Sequence, residues 1–263
     1  MLSKITAPRE RNFLLPGNRL YHYCSWETAV SKILPAYQLL LNPIDKTNDP
    51  RENQRFMFSH RTYKQIDIAG MDVADKYIST RIREGVKVCC FSEDRENYWG
   101  CLLSKMWAHY GGNHKGVCLE LDKQKFIDEN GALYDMKFLQ PMTYFAFDRN
   151  NPPDHHLHDH VLMDKLGEDA YVKKFRQENL KYFFYTKNKE WESECEIRLL
   201  HIGEKDKDEF CSIKNSLCNI YIGLNCPIEN VRAIEECIAD TDMRIVFLSY
   251  GDVGLQFDFS SYK

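Results

Sequence analysis

The sequence predicts an α+β fold, a mixed and mainly antiparallel sheet core with flanking helices. Three observations point there. Helical and strand-like periods follow one another without the strict alternation of a doubly wound sheet. Residues 86–91 (VKVCCF) and 116–121 (GVCLEL) read as strands. The hydrophobic share of 43%, with 13% aromatics, suffices for a packed core and excludes wholesale disorder.

The elements follow in order. Residues 1–18 read as a loosely held arm, and 19–263 as a single domain. A short strand is expected at 20–23 (LYHY). Ser25 then caps a helix whose Trp26, Ala29, Val30, Ile33 and Leu34 share one face, with Pro35 as its stop. A strand at 38–41 leads to the turn Asn48-Asp49-Pro50. Residues 52–84 carry a polar helical period that Gly85 ends. After the strand at 86–91, residues 97–110 predict a helix stopped by Gly111-Gly112, and 116–121 a strand. Another strand is expected at 142–147. Residues 150–160 (NNPPDHHLHDH) read as a loop, followed by one long helix reaching Tyr185. Strands at 191–202 and 219–223, a helix at 227–239, and strands at 243–248 and 255–259 complete the chain.

Several functional classes are disfavoured by composition. With 35 basic and 39 acidic residues, the net charge of −4 offers no global attraction for nucleic acid. The N-terminal sequence has no apolar core of a secretion signal, and no stretch approaches the ~18 apolar residues that cross a bilayer. The ten cysteines are scattered, without a C-x-x-C pair, so they read as reduced core thiols of a cytoplasmic protein. G-x-S-x-G, Walker A and H-E-x-x-H motifs are all missing from the sequence.

Four segments hold residues suited to chemistry. On a strand spanning 191–202, alternation places Glu192, Glu194, Glu196 and Arg198 on one face and Trp191, Cys195, Ile197 and Leu199 on the core face. The acidic face is either a solvated surface or a Glu-x-Glu pair that stabilises a developing cation. Arg198 supplies one counter-charge, and Lys187 and Lys189 are placed to fold back as others. The segment 105–116 gathers Trp107, His109, Tyr110, His114 and Lys115 around glycines. Its rings suit either a helix end packed in the core or a sandwich for a planar ligand. His22 points opposite to Tyr21 and Tyr23 on the first strand, as a packed residue or as a ligand contact. Finally, His155, His156, His158 and His160, with Asp154 and Asp159, carry ligand-type side chains. A Pro-rich loop gives them no fixed geometry, so adventitious metal affinity is the expectation and no designed metal site is assigned.

The combination of LYHY at 20–23, NDPRE at 48–52, CFSE at 90–93, MWAHYGGNHKGVCLELD at 106–122, K-x-x-x-W-x-x-E-x-E-x-R at 187–198 and IYIG at 220–223 resembles a bacterial family known as domain of unknown function 2971, over roughly residues 20–225. The family name carries no activity. The order of residue types also resembles an ADP-ribosyltransferase layout. That resemblance implies NAD as substrate and no metal. It places His22, beside Tyr23, at the ribose-holding first position, and Ser92 or Tyr110 at the second. Glu196 takes the third, with Glu194 completing a Glu-x-Glu form. It further implies Tyr110 or Trp107, with His109 nearby, against nicotinamide, and Arg198 or Lys115 on the pyrophosphate. Glu196 would offset the oxocarbenium charge, and Glu194 would position or deprotonate an acceptor. The acceptor would be a protein or nucleic acid, and a toxin or phage-defence role implies an antidote or partner protein. A non-catalytic ligand- or protein-binding module of such a system is the alternative. A metal-dependent nuclease has less support, because no Asp/Glu-x-Lys pattern stands out.

Overall fold

The computed structural model describes residues 18–62, 67–96, 98–146, 156–252 and 254–258. All but the last residue of the expected arm, and His155 and Asp154 of the histidine-rich segment, lie outside them. The chain forms an α+β fold around an open sheet of nine strands. These are β1 (Arg19–Cys24), β2 (Asn42–Pro43), β3 (Val86–Ser92), β4 (Val117–Asp122), β5 (Leu139–Pro141), β6 (Glu196–Ile202), β7 (Leu217–Ile222), β8 (Arg244–Gly251) and β9 (Gly254–Phe257). They lie side by side in the order β9, β8, β7, β4, β1, β3, β6, β5, and β2 also pairs with β3. The pairing is antiparallel throughout except between β7 and β8. Those two are joined by the helix Ile228–Cys237, and a helical crossover is what parallel neighbours require.

Side-chain alternation divides the sheet into two buried faces. On one, Leu20, Leu119, Leu121, Phe91, Ile197, Leu199, Ile220 and Ile245 pack under the helical segments 26–36, Lys123–Asn130 and Ile228–Cys237. The other face carries two separate apolar clusters. Val86, Val88 and Leu200 meet the helices Ile68–Arg83, Glu168–Glu178 and Leu180–Phe184. Tyr21, Tyr23, Cys118, Tyr221 and Val246 pack with Trp107. All ten cysteines are free thiols, and six are buried.

The strands at 86–91 and 116–121 lie within one residue of their expected bounds, whereas several helices differ from expectation. Ser25 caps its helix by accepting from the Thr28 N–H. Pro35 does not stop that helix: it sits in a last turn that ends at Tyr37, which has a positive φ of 50°. Among the described residues of 52–84, the long helix is Ile68–Arg83, where the Asp67 side chain accepts from Gly70 N–H; upstream, Pro50–Asn53 is a single helical turn and Ser59–Arg61 a strand. The helix expected over 97–110 is confined to Ser104–His109. The long helix expected up to Tyr185 is three, His160–Leu166, Glu168–Glu178 and Leu180–Phe184. Its first break is Gly167 at φ 80°, a conformation that glycine adopts at little cost. The strand expected from 191 begins only at Glu196, because Lys189–Glu194 winds as a 3₁₀ turn closed by Cys195 at φ 48°.

Gly111 and Gly116, at the ends of the turn 111–116, fit against their neighbours with no room for a side chain. A Cβ on Gly116 would stand 2.2 Å from the Cys24 carbonyl oxygen and 2.9 Å from that of Gly111. Gly116→Ala is expected to cost about 1–3 kcal/mol of stability, the usual cost of overpacking, measured as a lowered urea midpoint with an unchanged slope.

Candidate functional site

β1 and β3 share one register pair, Tyr21 opposite Ser92, whereas β1 pairs with β4 over its whole length. A cavity of about 360 Å3 opens where β1 and β3 part. Its wall includes Tyr21, His22 and Tyr23 from β1, Val88–Phe91 from β3, and Lys46–Asn48 from the turn after β2. Met106, Tyr110, Lys187, Glu194, Glu196 and Arg198 complete the chemically distinctive part. His22 partly bridges the split strands, its Nδ1 standing 3.1 Å from the Cys90 carbonyl oxygen. A carbonyl only accepts, so Nδ1 carries the proton. Burial lowers the imidazole pKa, so the ring is neutral and its Nε2 keeps a lone pair as acceptor.

The opposite wall is a buried ionic network. Arg198 is fully buried and donates Nε to Glu196 Oε1 at 2.7 Å and Nη1 to Glu52 Oε1 at 2.5 Å. It also donates to the Phe184 carbonyl at 3.1 Å. Lys187 Nζ lies 2.7 Å from both Glu194 Oε2 and Glu196 Oε2, and 5.4 Å over the Trp191 ring. The Tyr110 hydroxyl donates to Glu194 Oε1 at 2.7 Å. Burial alone would raise the Glu196 carboxyl, but Arg198 and Lys187 outweigh it and hold its pKa down to about 2. Burial likewise penalises the Lys187 ammonium, yet Glu196 and Glu194 raise its pKa above the ordinary lysine value. Three carboxylates face two cations, so the network formally keeps one negative charge in excess. Glu52 Oε2 is buried and has no hydrogen-bond partner among the described residues.

The strand geometry expected for the acidic face is therefore corrected. Glu196 and Arg198 do share a face of β6, but that face is buried, and Glu192 is exposed on the 3₁₀ turn. Lys187 folds back as a counter-ion, while Lys189 stays exposed. His22, Tyr23, Tyr110, Glu194, Glu196 and Arg198 meet at one cavity. Ser92 is fully buried behind it and donates its hydroxyl to the Glu194 carbonyl at 2.7 Å. Trp107 is also fully buried, donating Nε1 to the Cys101 carbonyl and packing edge-on against Tyr23, so it presents no ring to a ligand. His109 lies in a separate depression with Lys105, Glu190 and Trp191, and Lys115 is exposed on the glycine turn. Arg198 is enclosed by its carboxylates and is not placed to meet a pyrophosphate.

Sequence reasoning missed Glu52, Lys46 and Tyr21. Glu52 ends the NDPRE run, which reads locally as a turn. The Asp49 side chain accepts from Arg51 N–H and caps the short helix Pro50–Asn53, and this aims Glu52 inward. The histidine-rich segment is not wholly a loop. Leu157–Asp159 is a strand pairing in parallel with Ser59–Arg61, and His160 begins a helix. Burial, then the neighbouring His160 and His60, push the His158 pKa down to about 3.

Residues 106–199 match a family described as protein of unknown function (DUF2971), within the wider span over which the motifs resemble it. Comparison with curated proteins and with solved structures finds no match. No helix among the described residues is long and apolar enough to cross a membrane.

Two outcomes test the network. Arg198→Met leaves Glu52 and Glu196 buried without their shared cation and is expected to destabilise by about 3–5 kcal/mol in urea unfolding at neutral pH. The lowered Glu196 pKa also fixes a sign: the native state binds fewer protons than the unfolded chain between the ordinary glutamate value and about pH 2. Glu196 thus contributes stability above the ordinary value that is lost as pH falls toward 2. Unfolding free energy followed across that window should fall less steeply in Glu196→Gln.

Proposed function

We propose that the chain is an NAD-dependent, ADP-ribosyltransferase-like enzyme of a bacterial defence or toxin system, which cleaves the bond between nicotinamide and ribose. The observation that carries this reading is the convergence of His22, Tyr110, Glu194 and Glu196 on one cavity. Four further features support it. The volume suits a nucleoside-sized part of a ligand. Lys46, exposed at the rim, suits a phosphate outside. The neutral His22 Nε2 suits a ribose hydroxyl as donor partner. The excess negative charge suits the cationic nicotinamide ring and the oxocarbenium that follows it.

In the proposed step the glycosidic C–N bond breaks and its electron pair leaves with nicotinamide, neutralising that ring. Positive charge develops on the ribose beside Glu196, which is ionised and fixed by Arg198 and Lys187, so little reorganisation accompanies the transition state. The acceptor's lone pair then forms the new bond to the anomeric carbon, and Glu194 takes the acceptor's proton. Tyr110, hydrogen-bonded to Glu194, holds that carboxylate in place and offers its ring edge to the ligand. Met106 lines the same wall, in the place where a stacking Trp107 was expected.

A non-catalytic binding module is the second reading. It is favoured by one observation: Lys187 and Arg198 already engage both oxygens of Glu196, which spreads its charge. Incubating the purified protein with NAD and measuring nicotinamide release, with water, protein or nucleic acid as acceptor, separates the two. Turnover that falls at least ~100-fold in Glu196→Gln, in a protein that remains folded by circular dichroism, is the expected result. Saturable NAD binding without turnover would establish the binding module. Turnover retained in Glu196→Gln would overturn the residue assignment.

A further inference from the structure

Away from the cavity, three histidines that are far apart in sequence come together. His60 lies on the strand Ser59–Arg61 and is the register partner of His158 on Leu157–Asp159. His160 opens the following helix, His160–Leu166. Each of the three offers one side-chain nitrogen, and these atoms all lie within 4.8 Å of one another. The His60 and His158 side chains are almost completely buried, while His160 is half-buried.

The partners of these rings select which nitrogens remain free to bind. His60 Nε2 lies 3.0 Å from Asp75 Oδ1, and an ionised carboxylate only accepts, so Nε2 carries the proton and Nδ1 keeps its lone pair. His158 Nδ1 lies 3.0 Å from the Tyr171 hydroxyl, which itself accepts from the Asp159 N–H at 2.9 Å. That leaves His158 Nε2 as the remaining nitrogen. His160 Nε2 stands 3.0 Å from His60 Nδ1. Two nitrogens bound at 2.0–2.1 Å to one tetrahedral ion lie about 3.3 Å apart, so this pair already has nearly the required separation. Asp75 and Tyr171 occupy the positions that carboxylate and hydroxyl partners take behind metal-binding imidazoles, where they fix tautomer and ring orientation.

We propose that His60, His158 and His160 form a binding site for a borderline divalent metal ion of the zinc class, with His60 Nδ1, His158 Nε2 and His160 Nε2 as ligands. Asp75 and Tyr171 orient the first two rings. Binding needs a modest inward movement of the rings and a shift of the His160 proton from Nε2 to Nδ1, so no net proton release is required. Three neutral nitrogens are a donor set that suits zinc, cobalt or nickel rather than magnesium or calcium. Water on the half-buried His160 side completes the coordination. The ion would clamp the 59–61 and 157–159 ribbon to the helices Ile68–Arg83, His160–Leu166 and Glu168–Glu178, the layer that covers one apolar cluster of the sheet. This site is independent of the NAD reading.

The test uses the full chain stripped with a chelator and titrated with Zn2+, with Co2+ as a spectroscopic probe. The expected result is one equivalent of Zn2+ per chain, a raised melting temperature, and X-ray absorption showing histidine nitrogens at about 2.0–2.1 Å. Asp75→Asn should weaken binding ~10–100-fold, and His160→Ala more. The pair His155→Ala and His156→Ala should retain the stoichiometric site. Absence of a stoichiometric site in the wild-type chain overturns the proposal, as does an absorption spectrum without histidine scattering. Binding that is lost in the His155/His156 variant but survives His160→Ala would assign the affinity to the adjacent chain segment and overturn it equally.

Discussion

The chain of ion contacts Glu52–Arg198–Glu196–Lys187–Glu194 is the constraint around which this half of the molecule is arranged. An uncompensated carboxylate in the interior is strongly unfavourable, and three within one cluster would also repel one another. Their burial is possible only because a guanidinium with its planar donors and an ammonium with its rotating ones stand between them. The five members come from four local contexts: a one-turn helix for Glu52, a short ribbon for Lys187, a 3₁₀ turn for Glu194 and a sheet strand for Glu196 and Arg198. The requirement for charge pairing therefore ties four segments to one another, and the hydroxyls of Tyr110 and Tyr144 extend the restraint.

That network stands beside an opening in the sheet. β1 runs fully paired to β4 and touches β3 at a single register position, and His22 supplies a side-chain contact to Cys90 where a continued ladder would have supplied backbone bonds. A gap between strands exposes polar backbone and side-chain atoms in a setting of low dielectric, where a fixed charge acts strongly on a ligand. Apolar clusters pack both faces of the sheet around the opening, and the ion pairs to Arg198 and Lys187 hold Glu196 in place. This preorganisation favours charge stabilisation in a transition state. The same pairing also divides the Glu196 charge between two cations, which is why turnover rather than fold decides between catalysis and binding.

Much of this was legible from residue patterns. The period-two runs at 86–91 and 116–121 are strands because β-branched, apolar and cysteine side chains there can be buried on both faces. The motif K-x-x-x-W-x-x-E-x-E-x-R names four members of the ionic network, and the inward return of Lys187 follows from the need to neutralise two glutamates. Legibility failed where tertiary contacts overrode the local period. Trp191 and Glu192 continue a strand pattern, yet the left-handed Cys195 lets the preceding segment wind as a turn. Glu52 is an ordinary acidic residue of a helical-looking run, and only Arg198, 146 positions away, makes it a buried partner. His60 likewise carries no local signal, since its register with His158 is created by a parallel ribbon between distant segments. Trp107, prominent as a candidate stacking ring, is instead occupied in supporting Tyr23 from behind.

The central claim is that the opening between β1 and β3 receives the ribosyl part of NAD against its ionic wall. A crystal structure of the protein soaked with NAD, or with a non-cleavable analogue, tests this most directly. The account predicts the ribose between His22 and Glu196, the nicotinamide beside Tyr110 and Met106, and the phosphates leaving past Lys46. Ligand density elsewhere on the chain, with this opening holding only solvent at saturating NAD, would contradict it.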